Sequence, residues 1–399
     1  MKTEAAIVGG GPTGLTAARE IARYGYEVTV FEEHPTIGEP NHCAGILSVE
    51  GLERLGVKPS TDFIQHQIKG GTVFAPNGTA LRIKGSRTRA YIVDRAAFDR
   101  HLAEAAHDHG AVIKTGSRVK QLLTSEGNVQ GVLTHEETPS DIVIDCEGLR
   151  GRLADSMTFP KPKGILSGIN VEVSNVQVEQ GMVEVWFGSR LAPGFFAWVA
   201  PTGENSARCG LGCRGGDPWL RLNSFLKDRF GECTVKGPER WPIITGGPID
   251  KTHCSGMLLV GDVVGQVKPT TAGGVIMGGL CALEAAVIAV QALEGGDSSR
   301  SVLARYDENW RRKLGKEFST MLHARRIADK ISDGRMDRLF SASRKAGLEE
   351  TAMALIEDGD MDMQSGIIRK ALTNPSVLKV GASVLGRTLF SELKVLLDI

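Results

Sequence analysis

Ala5-Ala6-Ile7-Val8-Gly9-Gly10-Gly11-Pro12-Thr13-Gly14-Leu15 runs an apolar strand directly into a glycine turn. A helical pattern follows through Leu15, Ala18, Ile21 and Ala22 and stops near Gly25; a second strand over 27–31 closes on Glu32. The change of period from two to 3.6 and back reads as a strand–helix–strand unit. Three spaced glycines alone are a weak signal. Between a strand and a helix, with an acid ending the next strand, Gly9, Gly11 and Gly14 become a dinucleotide cradle. Glycine lets the backbone approach a pyrophosphate. The helix start at Pro12 and Thr13 offers unpaired N–H donors whose dipole favours negative charge. Glu32 is placed to accept hydrogen bonds from the ribose hydroxyls of the adenosine half. The turn by itself does not separate FAD from NAD.

Outward from this unit, residues 51–89 mix short strands and turns. A strand over 91–93, a helix over 95–107 and a strand over 111–114 follow. A hairpin of 120–124 and 130–134 then turns around Gly127-Asn128, and a fully apolar strand covers 142–145. From about 164 to 252 the text changes. Alternation at 170–174, 182–187, 195–199 and 207–212 predicts an antiparallel sheet, with one helix around 219–230. A buried strand over 257–260 leads into Gly261-Asp262, and a small-residue apolar helix covers 275–293. Beyond Asp297 the chain reads as helical and more charged.

Composition narrows the classes further. A chain of 399 residues exceeds a usual single domain, and 41% hydrophobic residues are enough for a sizeable core. Lys plus Arg and Asp plus Glu balance at 47 each, so no electrostatic footprint points to nucleic acid. The seven cysteines are scattered. Cys209 and Cys213 sit four apart, but no second pair or nearby His completes a zinc site, so no metal is expected. Reduced thiols of a cytoplasmic protein fit this usage. The chain passes from Met1 straight into a strand, without the look of a signal peptide. No uninterrupted apolar run reaches about 20 residues, so no bilayer-spanning helix is expected.

Later stretches carry a resemblance. Gly261-Asp262-Val263-Val264-Gly265 resembles the second fingerprint of the para-hydroxybenzoate hydroxylase-like flavoproteins. That implies FAD, with Asp262 on a ribityl hydroxyl and the next helix N-terminus facing the flavin. Four further stretches are similar to the geranylgeranyl reductase family. Ile37-Gly38-Glu39-Pro40-Asn41-His42-Cys43-Ala44-Gly45 looks like its segment that sets a cysteine beside the flavin. Tyr91-Ile92-Val93-Asp94-Arg95, followed by Phe98-Asp99-Arg100-His101-Leu102, looks like its flavin-contacting arginine and helix. Gly265-Gln266-Val267-Lys268-Pro269-Thr270-Thr271-Ala272-Gly273-Gly274-Val275 resembles its loop over the isoalloxazine. Tyr306-Asp307-Glu308-Asn309-Trp310-Arg311-Arg312-Lys313-Leu314-Gly315-Lys316-Glu317 resembles the helix that opens its C-terminal region.

The resemblance implies an α/β fold: a Rossmann-like FAD-binding domain, an inserted antiparallel-sheet substrate domain and a helical C-terminal region. The expected boundaries are 1–60, 90–163 and 255–296 for the first, 61–89 and 164–254 for the second, and 297–399 for the third. It also implies FAD contacts at Gly9, Gly11, Pro12, Thr13, Gly14, Glu32, Cys43, Ala44, Arg95, Val119, Gly261, Asp262, Gly273, Gly274 and Val275. The implied reaction saturates carbon–carbon double bonds of prenyl chains, those of archaeal-type membrane lipids in particular.

An apolar tunnel for such a chain has Phe187, Phe195, Phe196 and Trp198 as candidate walls. The family's aromatic-x-Trp-x-Phe-Pro motif stands altered in Pro193-Gly194-Phe195-Phe196-Ala197-Trp198-Val199-Ala200-Pro201: Phe196 replaces the usual Tyr, and Ala200 the usual Phe. Losing a phenol and a ring is expected to widen and dry the cavity. Glu147-Gly148 stands where related flavoproteins carry Asp-Gly. Cys43 is the candidate catalytic residue, as proton donor or as a shaper of the substrate's approach. His42 reads as a loop residue, and Arg95 as orienting the flavin, because guanidinium stays protonated. The N–H groups of Gly273-Gly274-Val275 are expected to stabilise the reduced-flavin anion.

Partners implied are a prenyl lipid and an electron donor, whether nicotinamide, deazaflavin or ferredoxin. A flavin-dependent monooxygenase or halogenase on the same fold is the alternative, although only part of the halogenase Trp-x-Trp-x-Ile-Pro pattern is present. Residues 377–397 alternate apolar positions with Lys379, Arg387 and Lys394. That suits either an amphipathic segment resting on the inner face of the cell membrane or a helix packed on its own protein.

Overall fold

Ala5, Ala6 and Ile7 are wholly buried in succession, which a strand shows only when its sheet is covered on both faces. In the structure, a computed structural model describing residues 2–398, Thr3–Val8 lies inside such a sheet. The order is His253–Cys254, Met257–Leu259, Glu137–Asp145, Thr3–Val8, Val28–Phe31 and Val112–Lys114, parallel except for the first pair. Glu137–Asp145 serves two pairings. Its second half joins the parallel sheet, and its alternating first half, missed in the sequence, pairs with the hairpin Gln121–Ser125 and Asn128–Leu133. That hairpin turns on Glu126-Gly127, one residue earlier than expected. Both residues have positive φ (51° and 80°), as a tight two-residue turn demands.

Helices Pro12–Arg23 and Val275–Gly295 pack together on one face of this sheet. Glycine makes the approach close: a Cβ on Gly14 would sit 2.1 Å from the Gly9 carbonyl oxygen, and one on Gly278 2.6 Å from Thr13 Oγ1. Val275–Gly295 is in fact long and apolar enough to cross a membrane, which corrects the expectation that no such helix exists. Its surroundings make it a core helix. It is largely buried against the first helix, the sheet and the long helix Arg300–Ala328, which contributes Leu303, Tyr306, Trp310, Leu314, Phe318 and Met321. Its single interior acid, Glu284, is met by Lys313.

The second sheet has the order Thr234–Ile244, Ile165–Ser174, Ser206–Cys213, Ala197–Gly203, Met182–Trp186, Gly70–Phe74 and Ala80–Lys84. Every join is antiparallel except Met182–Trp186 with Gly70–Phe74, the point where the two distant segments meet. One face packs on helix Pro218–Phe230 through Leu222, Phe225 and Leu226. A separate cluster of Leu166, Phe195, Trp198 and Ile243 packs against Ala44 and Ala272, residues of the first domain's loops. Ile46–Ser48, Ala90–Val93 and Ile64–Ile68 form a small third sheet at the seam. Ser48 caps a short helix, Val49–Arg54, where the sequence suggested only strands and turns.

The C-terminal region is helical: Arg300–Ala328, Asp333–Lys345, Leu348–Glu357, Gln364–Thr373 and Pro375–Asp398, the last broken at Gly386 (φ 76°). Val380, Leu385 and Leu389 of that last stretch are buried against the preceding helices. The side chains of Arg387 and Lys394, part of the amphipathic pattern above, lie outside the described residues.

Candidate functional site

Two helix N-termini open on one cavity of about 600 Å³. The helix at Pro12 starts from Gly11 with no side-chain cap and no acid in its first turn. The helix at Val275 starts from Gly274 in the same way. Orphan N–H groups and dipoles thus converge on one space, and capping carboxylates that would compete with an anion are absent from both ends. The two fingerprints also touch: a Cβ on Gly261 would lie 2.9 Å from Thr13 Oγ1. Gln266, fully buried, accepts from Gly261 N–H at 2.8 Å and donates to the Tyr306 hydroxyl at 3.0 Å. Asp307 accepts from Thr252, His253 and Trp310. The Tyr306–Trp310 stretch therefore holds the second fingerprint in place from behind.

The cradle fits a dinucleotide. An added Cβ on Gly11 (φ −81°) meets nothing within 4 Å, so it would project into open cavity, where a pyrophosphate needs the space. Glu32 is already oriented, accepting from Gly10 N–H at 2.7 Å and His34 N–H at 2.8 Å. Asp262 is open to the cavity although protein encloses the cavity around it. That enclosure raises its carboxyl, outweighing the nearby Arg95, and among the described residues no donor meets its oxygens. A carboxyl so placed suits a ligand hydroxyl.

Gly9, Gly11, Pro12, Thr13, Glu32, Cys43, Ala44, Arg95, Val119, Asp262, Gly273, Gly274 and Val275 all line the cavity, as do Phe195, Phe196 and Trp198. Gly14 and Gly261 stand behind the lining and permit the close packing described. Phe187 does not line the cavity; it packs edge-on to Phe196 at 6.0 Å. Phe196 stacks on Phe195 at 4.1 Å, and Trp198 packs against Gly210, where a Cβ would meet its ring at 2.3 Å. Ala200 lies away from the lining, in a cluster with Ile68, Ala90 and Ile92. Met361, from the C-terminal region, packs on that cluster and itself lines the cavity. The expected widening at Ala200 is thus displaced into the core.

Arg95 forks onto Asp99 with both bonds at 3.1 Å. Burial works against its charge, but Asp99 and Cys43 together raise its pKa. Asp99 is itself raised, burial outweighing Arg95. Gly45 N–H donates to Cys43 Sγ at 3.3 Å. Burial, then Arg95, pushes the His42 imidazole below its ordinary value. Its ring lies tilted over Trp241 at 5.8 Å.

Several site residues carry no sequence signal of their own. Lys268 sits inside a quoted motif without a role, whereas Trp241, Met361, Asp362 and Gln364 reach the cavity only through tertiary packing. Arg208, 3% exposed, reaches from the second sheet to the carbonyls of Ala44 and Val93, both at 3.1 Å, and to Glu172.

Asp145 ends the central strand beneath the cradle. It is wholly buried, with one oxygen accepting from Glu147 N–H at 3.0 Å and the other unpartnered. Burial first, and then Glu147, raises its carboxyl well above the usual range. The folded chain therefore keeps this proton over a range where the unfolded chain, with a pKa of about 4, has lost it. Stability falls as pH rises through that window. Asp145→Asn should flatten the decline in urea midpoint as pH rises above about 4; an unchanged decline would show that Asp145 does not cause it.

Residues 2–214 match the family model described as FAD binding domain, which is more than half of the chain. A digeranylgeranylglycerophospholipid reductase of Methanothermobacter thermautotrophicus is 34% identical over 353 residues, 85% of this chain and 91% of that protein. One of Methanocaldococcus jannaschii is 31% identical over 391 residues, 94% of this chain and 96% of that protein. Among solved structures, a geranylgeranyl bacteriochlorophyll reductase-like protein of Thermoplasma acidophilum superposes with a TM-score of 0.83 at 22% identity, covering 99% of both chains. A flavin-dependent brominase shares the fold at a TM-score of 0.68 and 15% identity, over 89% of this chain and 93% of that one.

Proposed function

The chain belongs to the digeranylgeranylglycerophospholipid reductase family, and from that premise we propose that it saturates carbon–carbon double bonds in the geranylgeranyl chains of an archaeal-type membrane lipid. The observation that carries the reading is one cavity with a dinucleotide cradle at one end and an aromatic wall at the other. FAD, once reduced, supplies the hydride that an isolated alkene needs. The chain's own residues supply position and dryness. Phe195, Phe196, Trp198 and Ile243 form an apolar wall along which a prenyl chain can lie, and apolar contact there excludes water. Cys43 and Arg95 both line the cavity, and in this reading the Cys43 thiol gives a proton or directs the alkene's approach. The halogenase alternative shares the architecture alone, because the brominase resemblance is confined to fold.

The electron donor is of the nicotinamide, deazaflavin or ferredoxin class. The lipid substrate favours a cytoplasmic protein in peripheral contact with the inner face of the cell membrane. The test is expression in cells that make unsaturated archaeal-type lipids, with mass spectrometry of the extract. A gain of two mass units per reduced bond is expected, and Cys43→Ser should lose most of it while retaining FAD. Unchanged lipid masses beside a fully FAD-loaded protein would contradict the assignment.

A further inference from the structure

One ion pair at the cavity wall has no place in the chemistry so far. Lys268 Nζ meets Asp362 Oδ1 at 2.7 Å, with the two side chains 12% and 1% exposed. Asp362 comes from the turn between the helices Leu348–Glu357 and Gln364–Thr373, and it also accepts the hydroxyl of Ser48, the cap of helix Val49–Arg54. The ends of this turn are tied down separately. Asp360 pairs with Arg54, Gln364 accepts from Thr270 at 2.7 Å, and Ser365 is held by Glu317. The turn thus has anchors besides Lys268, whose Nζ also donates to the Met361 carbonyl at 3.5 Å.

Its position relative to the cradle is informative. The Lys268 stem lies across Gly273: a Cβ there would meet Cε at 2.4 Å and Nζ at 3.1 Å. The loop closes on itself, with Ala272 N–H donating to the Lys268 carbonyl at 2.7 Å and Lys268 N–H to the Gly273 carbonyl at 3.2 Å. The ammonium is therefore fixed beside the turn that opens the helix Val275–Gly295, and both Lys268 and Asp362 line the cavity.

We infer that Lys268 is a positioning residue that sets the reduction potential of the bound FAD, with Asp362 holding its ammonium in place and offsetting part of its field. The inference rests on the reading that the isoalloxazine faces Gly273-Gly274-Val275. Reduction brings negative charge onto the ring system. A fixed cation at short range in a water-excluded site favours that form, and a fixed anion opposes it. Asp362 is the acid paired with Lys268, and the other nearby carboxyl, Asp262 beside Gly274, is common to wild type and both variants below.

Two substitutions separate this role from a structural one. Lys268→Met and Asp362→Asn break the same ion pair, so a purely structural role moves both in one direction. An electrostatic role moves them apart. The measurement is an anaerobic titration of FAD-loaded protein against a redox dye, with no lipid present. In Lys268→Met the preference for oxidised over reduced FAD should rise about tenfold, a potential lower by about 30 mV for the two-electron couple. In Asp362→Asn the potential should move upward by a similar amount, and Lys268→Arg should stay near wild type even where Lys268→Met folds poorly. Shifts of the same sign, or no shift in FAD-loaded variants, would overturn this inference alone. A wild-type protein that takes up no FAD would overturn the cofactor reading with it.

Discussion

Gly11→Ala should weaken FAD binding by about a hundredfold, about 2.8 kcal/mol, while leaving the ligand-free protein as stable as wild type to within about 0.5 kcal/mol. The asymmetry comes from the space around the residue. Gly11 has ordinary negative φ, and its added methyl touches no protein atom within 4 Å. Nothing in the fold resists the substitution. Only the ligand does, because the pyrophosphate must come to backbone distance to reach the helix N–H groups. Gly14→Ala is the contrast. Its Cβ would lie 2.1 Å from the Gly9 carbonyl and 3.2 Å from Ile7, so strand and helix must separate. That overpacking should cost about 3 kcal/mol of folding stability in addition to the loss of FAD. Equilibrium titration with FAD and urea unfolding of the ligand-free proteins check both. Wild-type FAD affinity in Gly11→Ala would show that the cradle does not hold the pyrophosphate.

Arg208→Met should destabilise the protein by about 3 kcal/mol and loosen the loop that carries Cys43. The guanidinium is buried, yet three of its partners lie outside its own sheet: the carbonyls of Ala44 and Val93 and the side chain of Gln65. Removing it strands two carbonyls without donors and leaves Glu172, itself partly solvated, without its partner. Gly45 is glycine for the same reason, since a Cβ would sit 2.3 Å from the Arg208 Nη1 atom. Arg208→Lys keeps the charge but not the fork, so it should recover part of the stability. Unfolding midpoints measure the first effect, and the rate of Cys43 alkylation by iodoacetamide measures the second. Faster alkylation in Arg208→Met, intermediate in Arg208→Lys, is expected. Equal rates in all three would mean that the loop is held by other contacts.

The parts of this site that were legible in the sequence are those whose signal is local. Ala5 through Gly14 combine a strand, a turn and a helix start in ten residues, and Glu32 follows the end of the next strand. The same locality made Gly261-Asp262 and Gly273-Gly274-Val275 visible. Arg95 was visible because the contiguous stretch Tyr91–Arg95 and the helix after it resemble the family's flavin-contacting segment. Where contact is made across the fold, the sequence is silent. Nothing around Asp360-Met361-Asp362 indicates that this turn will plug into a cavity built about a hundred or more residues earlier, because its partners Arg54, Ser48 and Lys268 are spread through the chain. Arg208 reads as one charged residue in a strand of small ones, and its burial follows only from the meeting of two sheets. Ala200 misled for a related reason. A motif position implies a side chain in the cavity, but alternation along the strand and the packing of Met361 decide which face it occupies.

An anaerobic single turnover tests the central claim most directly. The FAD-loaded protein is reduced, excess reductant is removed, and digeranylgeranylglycerophospholipid is added while the visible flavin band and the lipid mass are followed together. The oxidised band should return as the lipid gains two mass units, with one double bond saturated for each flavin reoxidised. A flavin that stays reduced beside unchanged lipid, in protein shown to bind that lipid, would contradict the account.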